Sequence, residues 1–393
     1  MKQIYFDYAA TTPVDKRVIN IMQDYLGIEG EFGNPASNTH NYGLVANEVI
    51  EKSRAQIATL IGAESREVIF TSGATESDNL AIKGIAYAYA HKGRHIITTR
   101  IEHKAVLDTC AFLETEGFNV TYLDVDKHGQ IDLQRLKNAI GAETILISIM
   151  AVNNELGTIY PLAEIGQLAR EHKLYFHVDA AQGVGKIDID VKAMNIDLLS
   201  LSGHKIYAPK GIGALYVRRK PKIRLAPLIH GGGHELGYRS GTLATHQIAA
   251  LGKACEIMAE EGQNEREKLE RWRDLLIDHL INIPAVMINT PVANSYAGII
   301  NVTFKGVDGE SLIGMLHEFA LSTGSACNSQ AIEPSFVLSA IGVTREDAHS
   351  TLRISMGRFT AEADILKLAE CIDKSVSLLR SLSPFWQGEG HVS

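Results

Sequence analysis

Apolar residues recur along this chain with two different periods. Between residues 66 and 217, short β-branched runs fall at 68–70, 95–99, 119–123, 144–149, 174–178, 197–201 and 213–217, the length and composition of strands. Several are separated by stretches whose apolar positions lie three and four apart. One such face is Leu162, Ile165, Leu168 and Ala169, the spacing of an amphipathic helix. Runs of strand and helix in alternation predict an α/β fold: a mostly parallel seven-stranded sheet flanked by helices on both faces. Ligands in such sheets gather at the carboxyl ends of the strands, so chemistry is sought just after each run.

The rest of the chain has another texture. Residues 246–282 read as long helices, and 297–304 and 321–322 as strand pieces. Ile365, Leu368, Ile372 and Leu379 mark one face of a C-terminal helix begun near Thr360. A second, smaller α+β region is therefore expected, with 15–260 forming the large domain and 1–14 plus 261–393 the small one. The polar tail after Pro384 reads as disordered.

Composition narrows the function classes. Of 393 residues, 45% are apolar and 21% charged, ordinary for a soluble globular protein. A net charge of −8 provides no global field for nucleic acid. The basic run Arg218, Arg219, Lys220, Lys222, Arg224 is read as a solvated rim or a docking patch for acidic partners. No apolar run approaches the ~18 residues that span a membrane. The four cysteines, Cys110, Cys255, Cys327 and Cys371, are far apart, which suits a reducing, cytoplasmic setting.

Three strand ends carry candidate chemistry. After the first strand, Thr71-Ser-Gly-Ala-Thr-Glu-Ser77 leads into a helix, whose free N–H groups favour an anion such as phosphate; an ordinary capped helix start fits the same residues. After the fifth comes Asp179 in Asp-Ala-Ala-Gln182, either a helix cap or a carboxylate able to pair with a protonated pyridine nitrogen, as pyridoxal enzymes require. After the sixth, Ser200-Leu-Ser-Gly-His204-Lys205 places a lysine at the edge of a buried strand. Desolvation favours the neutral amine that a Schiff base needs, and Ser202 and His204 beside it can bind phosphate. His230-Gly-Gly-Gly-His234-Glu235 is too glycine-rich for the helical spacing of a zinc motif and is expected as a loop near the site, without metal. Cys110, Cys255 and Cys371 lie on apolar helical faces. Cys327 instead sits in Ser322-Thr-Gly-Ser-Ala-Cys-Asn-Ser329, a small-residue loop from which a thiol can act as nucleophile or simply be exposed.

Together TSGATESDN, EHKAV, NNE, DAAQ, SGHKIYAPKG, GGGHE, RSGT and GSAC resemble the cysteine desulfurases of the fold-type I pyridoxal-phosphate superfamily. The match is closest to the branch serving iron–sulfur cluster assembly and runs from Asp7 to about Trp386. The resemblance implies that Lys205 carries the cofactor. It places Ala74, Thr75, Ser202 and His204 at the phosphate, with Thr242 supplied by a partner subunit of a homodimer. Asp179 would pair with the ring nitrogen, Asn154 and Gln182 with the ring oxygen, and His103 would stack on the ring and move protons. Arg353, with Asn154, would bind the substrate, its guanidinium gripping the carboxylate. Cys327 would accept sulfur from L-cysteine, leaving L-alanine and an enzyme persulfide, and pass it to a cluster scaffold or another acceptor protein. No resident metal is implied, Cys327 being at most a transient ligand of a nascent cluster. Two departures stand out. Ala151 occupies a position where the branch often has histidine, which is expected to alter the active-site rim, and the tail after Trp386 is expected to be shorter than the one the branch uses for scaffold docking, which leaves the sulfur acceptor open.

Rival readings keep the cofactor with a different reaction, as in an aminotransferase or selenocysteine lyase, or keep the fold as a silent interaction surface. Cys327 separates the first from desulfuration, because transamination has no use for a thiol. Cys327→Ser is expected to retain the yellow cofactor and lose persulfide formation from L-cysteine; undiminished sulfur release by that variant removes Cys327 from the mechanism.

Overall fold

The computed structural model describes residues 3–323, 334–384 and 386. Cys327 and the tail after Trp386 lie outside the described residues. The chain starts with β1 (Ile4–Tyr5), α1 (Lys16–Gln23) and α2 (Asn41–Ile61). It then alternates β2 (Val68–Thr71), α3 (Ala74–Tyr89), β3 (His95–Thr99), α4 (Lys104–Thr115), β4 (Asn119–Leu123), α5 (Leu133–Ala139) and β5 (Thr144–Ser148). Next come α6 (Leu162–Glu171), β6 (Tyr175–Asp179), β7 (Leu198–Ser202) and β8 (Gly213–Val217).

These strands form one seven-stranded sheet in the order β2-β8-β7-β6-β5-β3-β4. Pairings from β7 across to β4 are parallel, and β8 runs antiparallel to both its neighbours. The expected α/β class and mostly parallel sheet are therefore present. Residues next to each other in a strand go to opposite layers. Ile69, Ile96, Leu146, Leu198 and Leu215 pack with α3 and α4; Phe70, Ile97, Ile147, Leu199 and Tyr216 pack with the other layer. Burial on both faces is why the strands read as continuous apolar runs rather than as alternation.

The second region is a four-stranded antiparallel sheet, ordered β12-β13-β10-β9. Its strands are β9 (Val286–Ile288), β10 (Ile299–Phe304), β12 (Ser322–Thr323) and β13 (Thr351–Ser355), while β11 (Phe319–Ala320) pairs with β1. Helices α8 (Gly309–Met315), α9 (Phe336–Ala340), α10 (Arg345–His349) and α11 (Glu362–Leu382) complete it. The long helices expected at 246–282 are a single helix, α7 (Thr245–Leu280), which runs unbroken through residue 260 and packs on α1, α2 and α11.

Two local readings change. Arg218 is not part of a solvated rim: it is buried, paired with Asp197 at 3.1 Å and donating to Ile196 O at 2.7 Å. Arg219, Lys220, Lys222 and Arg224 are exposed. Ala151 is fully buried, and its backbone bridges Asp179 O and Tyr160 N, so it is core and not active-site rim.

The turn after β2 presses against β8. A Cβ on Gly213 would lie 2.7 Å from Gly73 Cα and 2.5 Å from Leu201 O, and both contacts are backbone and cannot swing away. Gly213→Ala is expected to destabilise the fold by about 2 kcal/mol, read as a lower urea midpoint at unchanged slope.

Candidate active site

A cleft of about 490 Å³ opens where the carboxyl ends of β2, β3, β5, β6 and β7 converge. It is lined by Ala74, Thr75, His103, Asn154, Asp179, Gln182, Ser202, His204, Lys205 and Arg353. Ten of the twelve residues singled out from sequence thus meet in one place. Thr242 does not: it is exposed and outside the cleft lining. The twelfth, Cys327, is not described, but β12 ends four residues before it. The Gly-rich loop at 230–234 is irregular as expected, yet it is not beside this cleft. His234 and Glu235 line a separate cavity of about 510 Å³. There Glu235 is buried, accepts two bonds from Arg54 at 2.8 and 2.9 Å and one from Phe70 N at 2.7 Å, so it ties the loop to β2.

Each wall has a local cause. Gly73, at φ +151° and ψ 177°, occupies backbone space that is essentially closed to other residues, and it turns β2 into α3. No side chain caps α3, so the helix start offers N–H groups and its positive dipole end to an anion. His103 is the N-cap of α4, its Nδ1 accepting from Ala105 N at 3.1 Å; the neutral ring therefore carries its proton on Nε2. Asn153 Nδ2 donates to Ile101 O at 3.0 Å, and its Oδ1 accepts from Glu155 N and Leu156 N at 2.9 Å each, fixing the turn that presents Asn154.

Lys205 sits in the one-turn helix Gly203–Lys205 after β7, its Nζ donating to Ala9 O at 2.6 Å and Ala10 O at 2.7 Å. The N-terminal segment is thus part of the site, through carbonyls that sequence inspection has no means to single out. Burial, with the charges of Lys205, Lys210 and Lys186, pushes His204 down to about 4. It is a neutral ring at pH 7, with Nδ1 3.1 Å from Thr11 Oγ1. Arg353 Nη2 reaches Asp7 Oδ1 at 2.8 Å and Ser322 Oγ at 3.1 Å, and Nη1 reaches Asn154 O at 3.0 Å. Its buried Nε has no partner among the described residues.

Beneath the cleft lies a group that sequence reasoning missed. Asp78 on α3, Glu102 before α4 and Asp179 on β6 are all buried. Burial pushes Asp78 well above the carboxylate range, and the charges of Asp179 and Glu102 add to it. Glu102 is pushed up to about 8, again by burial first. Three carboxyls in one dry space cannot all ionise. Asp179 is the one placed to keep its charge: burial raises it, but Ala181 N donates to it at 2.9 Å and His103 and Lys205 draw it down. The nearby Ser200 hydroxyl offsets only part of the upward push, and among the described residues neither oxygen of Asp78 has a partner at full hydrogen-bond geometry. Its neighbour His177, 3.5 Å away, is pushed down to about 3 by burial and is neutral. The period of two in β6, which puts His177 on the same face as Asp179, is the signal that points to it.

The residues fit pyridoxal phosphate. An uncapped helix start, neutral His204 and Ser202 line the same cleft as a buried carboxylate, which could pair with a protonated ring nitrogen, and a lysine, which could take an aldehyde. The fold and the family of this chain are those of α/β enzymes that depend on pyridoxal phosphate. The chain belongs to the aminotransferase class-V family, whose profile matches residues 4–368. Among its relatives, cysteine desulfurase IscS of Ruthia magnifica subsp. Calyptogena magnifica is 53% identical over 382 residues, covering 97% of this chain and 95% of that protein. The protein of the same name from Colwellia psychrerythraea is 54% identical over 384 residues, with 98% and 95% covered. Among solved structures, a NifS-like protein superposes with a TM-score of 0.89 at 36% identity, covering 96% of this chain and all (100%) of that one. SspA in complex with cysteine superposes at 0.81 with 44% identity, covering 91% and 100%.

The buried carboxyls predict a pH effect. A carboxyl raised from 4.5 to about 8 on folding contributes stability that is complete below about pH 4.5 and is lost as pH rises to about 8. Glu102→Gln keeps the acceptor used by Thr99 and Met150 and removes the titration. The stability difference, variant minus wild type, is expected to grow by a few kcal/mol between pH 5 and pH 8 in urea titrations; a difference independent of pH contradicts the assignment.

Proposed function

We propose that this protein is a pyridoxal-phosphate-dependent cysteine desulfurase that converts L-cysteine and its own Cys327 thiol into L-alanine and a Cys327 persulfide. The observation that carries this reading is the meeting of Lys205, Asp179, His103 and Arg353 in one cleft, on a chain about half identical to cysteine desulfurases over nearly its full length.

Lys205 would hold the cofactor aldehyde, Ala74, Thr75, Ser202 and His204 its phosphate, and Asp179 its ring nitrogen. Asn154 and Gln182 would hold its ring oxygen. Bound pyridoxal phosphate supplies an electron-withdrawing ring that stabilises negative charge at the substrate Cα. Arg353 orients the substrate through its carboxylate; Asp7 and Ser322 on Nη2 and the Asn154 carbonyl on Nη1 hold the guanidinium still. His103 Nε2 and Lys205 Nζ exchange protons with the substrate. The substrate C–S bond breaks and a bond from that sulfur to Cys327 Sγ forms. The carbon keeps the electron pair and takes a proton, and the transferred sulfur is oxidised to the sulfane level, so atoms and electrons balance.

Two copies would form the working unit, with Thr242 of one reaching the phosphate of the other. Exposed Ile28, Phe32, Tyr42 and Leu44 give a second copy apolar surface to cover. The persulfide would be delivered to an iron–sulfur scaffold or another acceptor protein. A cytoplasmic setting is supported by free thiols at Cys110, Cys255 and Cys371. Burial pushes the first two up to about 12, leaving them unreactive. No helix among the described residues is long and apolar enough to cross a membrane.

The test is a single turnover of the holoenzyme with L-cysteine, with alanine and the mass of the protein both followed. One alanine per active site should appear together with one added sulfur on the Cys327 peptide. Arg353→Lys, which loses the forked geometry, is expected to raise KM for L-cysteine about 10-fold or more with a smaller change in kcat. Formation of a 2-oxo acid in place of alanine overturns the reading.

A further inference from the structure

Lys186 is a buried lysine that this mechanism does not use. It closes the turn after β6, four residues past Gln182, and is 7% exposed. Its Nζ donates to Gln182 Oε1 at 2.5 Å and stands 5.5 Å from the centre of the Tyr296 ring. An ammonium group has donors and no acceptor, so the amide of Gln182 is forced into one of its two orientations. Oε1 must face Lys186, and Nε2 must face the cleft side, where it donates to Ala9 O at 2.7 Å. The same Ala9 carbonyl accepts from Lys205 Nζ at 2.6 Å. One unbroken chain of hydrogen bonds, Lys186–Gln182–Ala9–Lys205, therefore runs from the core to the reactive lysine.

We propose that Lys186 is a positioning residue that locks the Gln182 amide with its N–H groups toward the cofactor and places a positive charge behind the ring oxygen they hold. The inference rests on the reading of Gln182 as a ligand of that oxygen. Among the described residues Nζ has no other hydrogen-bond partner to account for burying a charge there, and burial of a lysine is costly unless something is gained by it. A charged donor on Oε1 polarises the amide and strengthens its N–H groups as donors.

The surroundings set when the charge is present. Lys205, His204 and Arg353 face Lys186 from the cleft and Glu265 faces it from α7, with the Tyr296 ring alongside. Burial, then Lys205 and Arg353, push Lys186 down to about 7 against the opposing pull of Glu265. Below that pH the ammonium both orients and polarises the amide. Above it the neutral amine still donates, so the orientation persists while the field on the ring oxygen fades.

The test uses the holoenzyme and reads the pH midpoint of the bound cofactor's colour change, with borohydride trapping on Lys205 as a separate control. A nearby cation disfavours retention of a proton, so Lys186→Met is expected to raise the midpoint by about 1 pH unit, and Lys186→Arg to hold it near the wild-type value. Part of the effect passes through the polarised Gln182 amide, so Lys186→Met is expected to shift the midpoint by less in a Gln182→Ala background. An unchanged midpoint in Lys186→Met overturns the proposal, and so does a shift of equal size in both backgrounds. Should Lys186→Met fail to fold, Lys186→Gln, which keeps a donor without the charge, carries the same expectation. Failure of the underlying reading shows in the wild type alone, as an absence of any borohydride-trapped cofactor at Lys205.

Discussion

Asp179 ends a strand covered on both faces, and its negative charge has to be maintained where water does not reach. The surrounding chain is arranged around that demand. Ala181 N–H donates to it, and Lys205 supplies positive potential. The two neighbouring carboxyls, Asp78 and Glu102, are kept neutral by burial and by Asp179 itself. His177, behind them, is held neutral between Ser148 and Ser200. A buried floor with one ionised group is an electrostatic device: in a low dielectric its attraction for any cationic group brought to it is far stronger than it would be in water.

The N-terminal residues join this floor to the substrate side. β1 pairs with β11, and Asp7 bridges to Ser355 at the end of β13. Two and three residues later the Ala9 and Ala10 carbonyls hold Lys205, and Thr12 donates to His204 O from both its N–H and its hydroxyl. The same Asp7 holds Arg353, which is also bonded to Ser322 at the root of the segment bearing Cys327. A short stretch of chain therefore fixes Lys205 and Arg353 in one frame. Precise placement of both is what a reaction between bound groups requires.

Much of this was legible beforehand. The seven strands were found because parallel strands buried on both faces are apolar throughout. The reading stopped one residue short at β6 and β7, since the ladder continues into Asp179 and Ser202, polar residues placed at strand ends to do chemistry. Lys205, Asp179 and the turn into α3 were legible for the same reason: each follows an apolar run directly. Asp78, Glu102, His177 and Lys186 were not, because a single polar residue inside an apolar pattern looks the same whether it is exposed or sealed in. Ala151 and the Gly-rich loop were misplaced by a related ambiguity: nearness in sequence to a site residue does not say which way a side chain points.

Local sequence thus decided the strands, the helices, the strand-end motifs and the residue types available for catalysis, because these follow from short-range periodicity and backbone chemistry. Long-range packing alone decided which groups share a dielectric. Asp7 meets Arg353 across 346 positions, and Lys205 meets Ala9 across 196. Protonation of buried carboxyls, the facing of the Gln182 amide and the loss of charge on His204 all depend on such encounters. Coulombic and desolvation energies are functions of distance in space, and the chain sets that distance only when it has folded.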